Sequence, residues 1–224
     1  MKTLESLAIT AINANEFNTV NSSAIKQKKY REILLKETFK PGFKCAEVGV
    51  FMGDFSEIIL TYKPKKLFLI DSWASSATSG DTIYAAELGK CHQTDFDKWE
   101  TDVRERFKDD KRVEIIKNYS VDAAKQFKDK SLDWIYIDAA HHYEAVLKDL
   151  NAWIPKVKMG GYLCGDDFLI NGIHRYGVIE AVHEFLNLNK FKTKAIINHK
   201  EYGKLKYKCI GFQFYIYRIP NKSL

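Results

Sequence analysis

Ser131–Phe168, SLDWIYIDAAHHYEAVLKDLNAWIPKVKMGGYLCGDDF, decides the fold. Leu132–Ile137 is a short, nearly continuous apolar run that ends in Asp138. From Tyr143 onward Val146, Leu150, Trp153, Ile154 and Val157 recur at helical spacing, which predicts a helix over Tyr143–Val157. Gly160-Gly161 turns the chain into a second run, Tyr162–Cys164, which leads to Asp166-Asp167. Two strands joined by one crossover helix lie side by side and parallel, about 4.8 Å apart.

The same alternation extends in both directions. Apolar runs at Cys45–Val50, Lys66–Ile70, Val113–Ile116, Lys194–Ile197 and Phe212–Tyr217 read as strands. Amphipathic stretches at Phe55–Thr61, Thr94–Lys108, Val121–Phe127 and Tyr176–Leu188 read as helices. This is an α/β pattern with a parallel sheet covered on both faces. The last run, with Phe212, Phe214 and Ile216 at period two, reads as an antiparallel edge insertion. The first 40 residues read as a helical extension that Pro41-Gly42 stops, and residues 41–224 as one domain. Ser72–Thr94 is long for a connection and rich in Ser, Thr, Gly and Ala, so a substrate lid and a plain insertion both fit.

With 224 residues, 46% hydrophobic and 29% charged, the composition is ordinary globular and excludes a mainly disordered, collagenous or coiled-coil chain. No apolar run is long enough to cross a bilayer, and Glu5 and Asn13 make the N-terminus a poor signal peptide. Four scattered cysteines without a C-x-x-C point away from structural zinc and toward a reducing cytoplasm. The net charge of +6 allows an anionic partner without demanding one. The lysines of Lys63–Lys66 and Lys200–Lys208 read as solvated loops, with nucleic-acid contact as the alternative.

Ligands of open parallel sheets bind beyond the carboxyl ends of the strands. There the sequence places Glu47–Gly53, Asp71, Ser120, Asp138 and Asp166-Asp167. The turn Glu47-Val48-Gly49-Val50-Phe51-Met52-Gly53 has Phe51 where a dinucleotide fold has its close-approach glycine, and Glu47 would repel phosphate. A cationic nucleoside without phosphate, S-adenosylmethionine, suits it better. Asp71 is placed to accept ribose hydroxyls, and Ser120 either touches adenine or caps a helix. Asp138, Asp166 and Asp167 would meet at one rim, where their repulsion requires a cation or a shared proton. Three hard oxygen ligands favour Mg²⁺, Mn²⁺ or Ca²⁺ over zinc. The alternative is that Asp166 or Asp167 merely caps a turn. The metal reading fails if the three groups point apart or if a lysine already neutralises them.

These residues resemble class I S-adenosylmethionine-dependent methyltransferases. The resemblance is to a small metal-dependent O-methyltransferase group that includes enzymes acting on macrolide and aminocoumarin sugars. It rests on AEVGVFMGDFS (Ala46–Ser56), LFLIDSW (Leu67–Trp73), Ser131–Phe168 and GVIEAVHEF (Gly177–Phe185), and spans about residues 40–217. It implies a doubly wound, Rossmann-like sheet of seven strands with one antiparallel C-terminal strand. It also implies a divalent cation, Mg²⁺ or Mn²⁺, on Asp138, Asp166 and Asp167, with His141 or Asp138 as the base. Glu47, Gly49, Gly53, Asp71 and, less firmly, Ser120 match cofactor positions. Ala140 departs from the acidic residue that many relatives carry. The expected acceptor is a hydroxyl of a sugar, glycan or similar small molecule, with a catechol-type phenol as the nearest rival. The absence of an Asn/Asp-Pro-Pro-aromatic turn after Ile137 speaks against a nucleic-acid acceptor, and intact acids at every strand end speak against a non-catalytic binding module. A homo-oligomer is left open.

Overall fold

The computed structural model describes residues 20–75, 91–168, 177–188 and 194–220, with the backbone alone for 20–27. The chain begins with helix α1 (Val20–Thr38), followed by strand β1 (Lys44–Val48), helix α2 (Asp54–Thr61) and strand β2 (Lys66–Asp71). Helix α3 (Gln93–Phe107), β3 (Val113–Lys117), α4 (Ser120–Ala124), β4 (Leu132–Ile137) and α5 (Tyr143–Trp153) come next. The chain closes with β5 (Val157–Gly165), α6 (Gly177–Phe185), β6 (Lys194–His199), β7 (Gly203–Ile210) and β8 (Gln213–Arg218). The segment Ser72–Thr94, read as either a lid or a plain insertion, lies mostly outside the described residues.

Among the described residues, eight strands form one sheet in the order β3-β2-β1-β4-β5-β8-β7-β6. The pairs from β3 through β5 are parallel, and those of β5 with β8, β8 with β7 and β7 with β6 are antiparallel. The sheet therefore has one strand more than the seven expected. The extra strand is β7, part of the lysine-rich segment read as a loop. Its Lys204, Lys206 and Lys208 alternate with the inward Leu205 and Tyr207, a half-buried strand in which lysine occupies the outer face. The C-terminal strand is antiparallel as expected, but it lies inside the sheet, and β6 forms the edge.

Two boundaries also moved. Gly160 and Gly161 lie within β5, beside a register shift against Leu132 and Trp134, where they had been read as the turn before it. Helix α5 stops at Trp153 and tightens into a 3-10 turn over Ile154–Lys156, because Pro155 has no N–H to continue the ladder.

The core has two halves, one on each sheet face, as the near-continuous apolar strands require. One gathers Val48, Ile70, Ile135 and Leu163 with Leu150 and Trp153 of α5 and Val182 of α6. The other gathers Cys45, Leu69, Trp134 and Tyr136 with Ile59 of α2, Val103 of α3, and Leu34 and Leu35 of α1. Helix α1 is thus part of the second half-core. Thr38 accepts the indole N–H of Trp134 at 2.9 Å, and Tyr30 sets its ring edge-on to Phe212 at 5.5 Å. Among the described residues no helix is long and apolar enough to cross a membrane.

Candidate functional site

Register brings the strand tips together. The Gly49 N–H donates to Ile70 O at 2.8 Å, Asp138 N–H to Val48 O at 2.7 Å, and Asp166 N–H to Ile137 O at 3.1 Å. The ends of β2, β1, β4 and β5 therefore form one rim. Gly49 has φ +89°, and a Cβ there would lie 1.9 Å from the Asp138 carbonyl oxygen, so only glycine lets the first turn approach β4 this closely.

A cavity of about 350 Å³ opens on this rim, lined by Gly49, Phe51, Asp71, Ser120, Asp138 and Asp149 among others. That volume suits a nucleoside-sized ligand. Of the expected cofactor residues, Gly49, Asp71 and Ser120 reach it. Glu47 does not: it is buried, its carboxylate accepts the Ser56 hydroxyl at 2.5 Å, and burial pushes its pKa up to about 8. Gly53 does not line the cavity either. It precedes α2 with φ +83°, close to the Phe107 ring. Both underpin the turn from behind.

Asp71 organises the turn directly. Its Oδ2 accepts the N–H groups of Val50 and Phe51, each at 2.8 Å, and its Oδ1 accepts that of Trp73 at 2.8 Å. Burial raises its carboxyl above the usual range, and the N–H donors oppose that shift. Trp73 is buried and donates its indole N–H to Phe51 O at 3.0 Å. At the far end of the cavity the Ser120 hydroxyl donates to Asp149 at 2.5 Å and accepts the Trp153 indole N–H at 2.9 Å. Burial pushes the Asp149 carboxyl up to about 7, against the pull of that hydrogen bond.

The three aspartates expected to share an ion are not one set. Asp166 is turned inward, only 2% exposed, and its carboxylate is fully engaged. Gln213 donates to its Oδ1 at 2.5 Å, the Asp167 N–H to the same oxygen at 2.8 Å, and the Tyr136 hydroxyl lies 2.9 Å from Oδ2. Arg31 of α1 closes the arrangement. Its Nε donates to Asp166 Oδ2 at 2.8 Å, and its Nη2 to the same oxygen and to Asp138 Oδ2 at 2.5 Å. The guanidinium lies over the rings of Phe55 and Tyr136, with centroids 5.0 and 5.8 Å away.

The donors that do converge are Asp138, His141 and Asp167, with one atom of each within 4.8 Å of the others. These three could face a single ion. However, His141 Nε2 already lies 3.2 Å from Asp138 Oδ1 and 3.0 Å from Asp167 Oδ2. Burial alone would lower the imidazole pKa, but the two carboxylates outweigh it and hold it well above the ordinary range. The rim carboxylates are therefore met by a guanidinium and by an imidazole whose protonated form they favour. A divalent ion on the three aspartates does not fit, because one ligand is saturated and a cation already sits between it and the next. Asp167 has φ +50°, a left-handed conformation uncommon outside glycine, which turns its carboxylate toward His141.

Sequence reasoning missed Arg31, Gln213, Tyr136 and Asp149. It stated that the clustered acids need a cation or a shared proton, and read the cation as a divalent metal ion. It could not choose among 35 lysines and arginines.

A family model described as a methyltransferase domain matches residues 46–168, more than half of the chain, and those residues include every expected site position. No curated protein matches. Solved structures share the fold. A proposed rRNA methylase from Clostridium thermocellum is 14% identical with a TM-score of 0.53, covering 87% of this chain and 97% of that one. A proposed methyltransferase from Streptococcus mutans in complex with SAH is 12% identical with a TM-score of 0.52, covering 85% and 96%. An S-adenosylmethionine-dependent methyltransferase from Aquifex aeolicus is 18% identical with a TM-score of 0.50, covering 83% and 87%. The chain belongs to the methyltransferase-domain family and has the class I S-adenosylmethionine-dependent methyltransferase fold.

Proposed function

We propose that the protein moves the methyl group of S-adenosylmethionine to a hydroxyl oxygen of a small polyhydroxylated acceptor, with His141 as the base. The observation that carries this reading is the placement of Asp138. It lines the donor cavity on one side and holds the His141 imidazole, 3.2 Å away, on the other. A base oriented by a carboxylate beside a methyl-donor pocket is what oxygen methylation needs.

The cavity between the Gly49 turn and Ser120 would hold the donor, and Asp138 is the lining carboxylate that could face its sulfonium. A positive charge bound there would compete for Asp138 and favour the neutral imidazole of His141. Neutral His141 takes the acceptor's hydroxyl proton. An oxygen lone pair then forms the O–CH₃ bond as the C–S bond breaks, and its electron pair stays on sulfur to give S-adenosylhomocysteine. The donor is intrinsically reactive, so the protein contributes mainly alignment and proton removal. No step is assigned to the Mg²⁺ or Mn²⁺ that the resemblance implies.

Calorimetry with S-adenosylmethionine tests the donor site, and absence of binding would sink the reading. Labelled-donor transfer across panels of glycans, catechols and polynucleotides identifies the acceptor. Label only on catechols supports the phenolic alternative, and salt-sensitive label on polynucleotide supports a nucleic-acid enzyme. Because His141 must be neutral, transfer should rise with pH through a range above that of ordinary imidazole.

A further inference from the structure

The rim carries three aspartates and a cation that belongs to the chain. We propose that Arg31 is the resident cation of the acceptor site: its guanidinium holds the gap between Asp138 and Asp166, and methyl transfer proceeds without a metal ion. The inference rests on the acceptor side as read above, and it departs from what the family resemblance implies.

Geometry is the first support. Arg31 binds both carboxylates at once, on Oδ2 of Asp166 and Oδ2 of Asp138. This leaves Asp138 Oδ1 for His141, so Arg31 sets which oxygen faces the base. Arg31 is thus a positioning residue that acts through Asp138. Its planar fork can serve two acceptors in one plane, which a lysine ammonium cannot do as well.

Attachment is the second. Arg31 is only 20% exposed and lies on a helix whose neighbouring Leu34 and Leu35 are fully buried. The same helix is tied by Thr38 to Trp134 and by Glu37 to Lys208 at 2.7 Å. An incoming ion would have to expel the guanidinium and strip Asp166 of its other donors.

The surroundings are the third. Phe55 and Tyr136 present ring faces to the guanidinium. Aromatic faces suit a flat, weakly hydrated cation, whereas Mg²⁺ keeps several waters and needs oxygen on most sides. Charge agrees as well. Arg31 brings a fixed positive charge to the two carboxylates it bridges, Asp138 and Asp166. Arg31 also lies outside residues 46–168, so the family match says nothing of it.

Manganese binding to the full chain, followed by electron paramagnetic resonance, tests the proposal without reference to activity. Wild type should show no saturable Mn²⁺ site, and its transfer rate should be unchanged by EDTA. Arg31→Met should acquire a saturable Mn²⁺ site, because Asp138 and Asp166 lose the guanidinium that bridges them. Arg31→Lys should keep the site closed to Mn²⁺, keep donor affinity, and lose roughly 10- to 100-fold in kcat through misplacement of Asp138. Saturable one-to-one Mn²⁺ binding by wild type would overturn the proposal. So would EDTA inactivation that Mn²⁺ restores, or a folded Arg31→Met variant with no Mn²⁺ site. If Arg31→Met does not fold, the wild-type measurement decides alone. Donor calorimetry on the same samples separates a failure of this inference from a failure of the methyltransferase reading.

Discussion

Asp71, half-buried, and Asp166, buried, are carboxylates at strand tips on the same rim, yet they are satisfied by opposite means. Asp71 is held by main-chain N–H groups of Val50, Phe51 and Trp73, all from the turns that its own strand and β1 form. Asp166 is held by side chains from three distant parts of the chain, Arg31, Tyr136 and Gln213. Backbone dipoles cannot be mutated away and carry no net charge. A guanidinium can be removed by one substitution, and its pull depends on the ionisation of its partners. The donor side is therefore a fixed cradle, and the acceptor side an assembly whose charge can be altered by mutation or pH.

Gly49→Ala should have the largest effect, because a Cβ would meet the Asp138 carbonyl at 1.9 Å in a left-handed backbone. A loss beyond about 4 kcal/mol, or no soluble folded protein, is expected in thermal unfolding. A stable Gly49→Ala protein would mean that the donor and acceptor sides are not packed against each other as described.

Asp138→Asn should lower kcat by about 10² to 10⁴, the range of general-base assistance, while donor affinity by calorimetry stays within a few-fold. A parallel loss of donor binding would show that Asp138 serves the cradle more than the base.

Arg31→Met and Asp71→Ala sharpen the contrast directly. Arg31→Met strands two carboxylates and should cost about 3–5 kcal/mol at neutral pH. Burial already raises the Asp166 pKa, with Asp138 adding to the rise and Arg31 opposing it. Without Arg31 the folded protein holds protons more tightly than the unfolded chain, so its stability should fall as pH rises and recover on acidification. Asp71→Ala strands N–H groups and should cost about 3 kcal/mol, with no comparable recovery in acid. Chemical denaturation at several pH values distinguishes the two profiles.

Glu47→Gln should give the smallest change. The Glu47 pKa rises from 4.5 to about 8 because burial disfavours its charge. The folded state therefore holds that proton longer than the unfolded state, and stability declines as pH climbs between those two values. Glutamine should flatten that decline and add about 1–3 kcal/mol above pH ~8. An unchanged pH dependence would place the carboxyl in water.

The parallel half of the fold was legible because its strands are buried on both faces. Leu132–Ile137 and Lys66–Ile70 are nearly continuous apolar runs between amphipathic helices, and each was found within a residue. Strand β7 was not legible, since a lysine at every second position resembles a solvated loop until its partners β6 and β8 are known. The acids of the site were legible as strand-end residues. Their partners were not, because Arg31 lies 107 residues from Asp138 and 135 from Asp166.

Order along the chain determined the α/β alternation, the glycine turn and the row of carboxylates at the strand ends. Local periodicity and turn chemistry suffice for these, because each depends on neighbours in sequence. Only the folded arrangement decided how the carboxylates are neutralised. Asp71 turned inward to backbone N–H groups, Asp166 to a guanidinium from α1, and His141 came to rest between Asp138 and Asp167. Charge compensation acts through space, so which side chain supplies the cation depends on how α1 packs across the sheet.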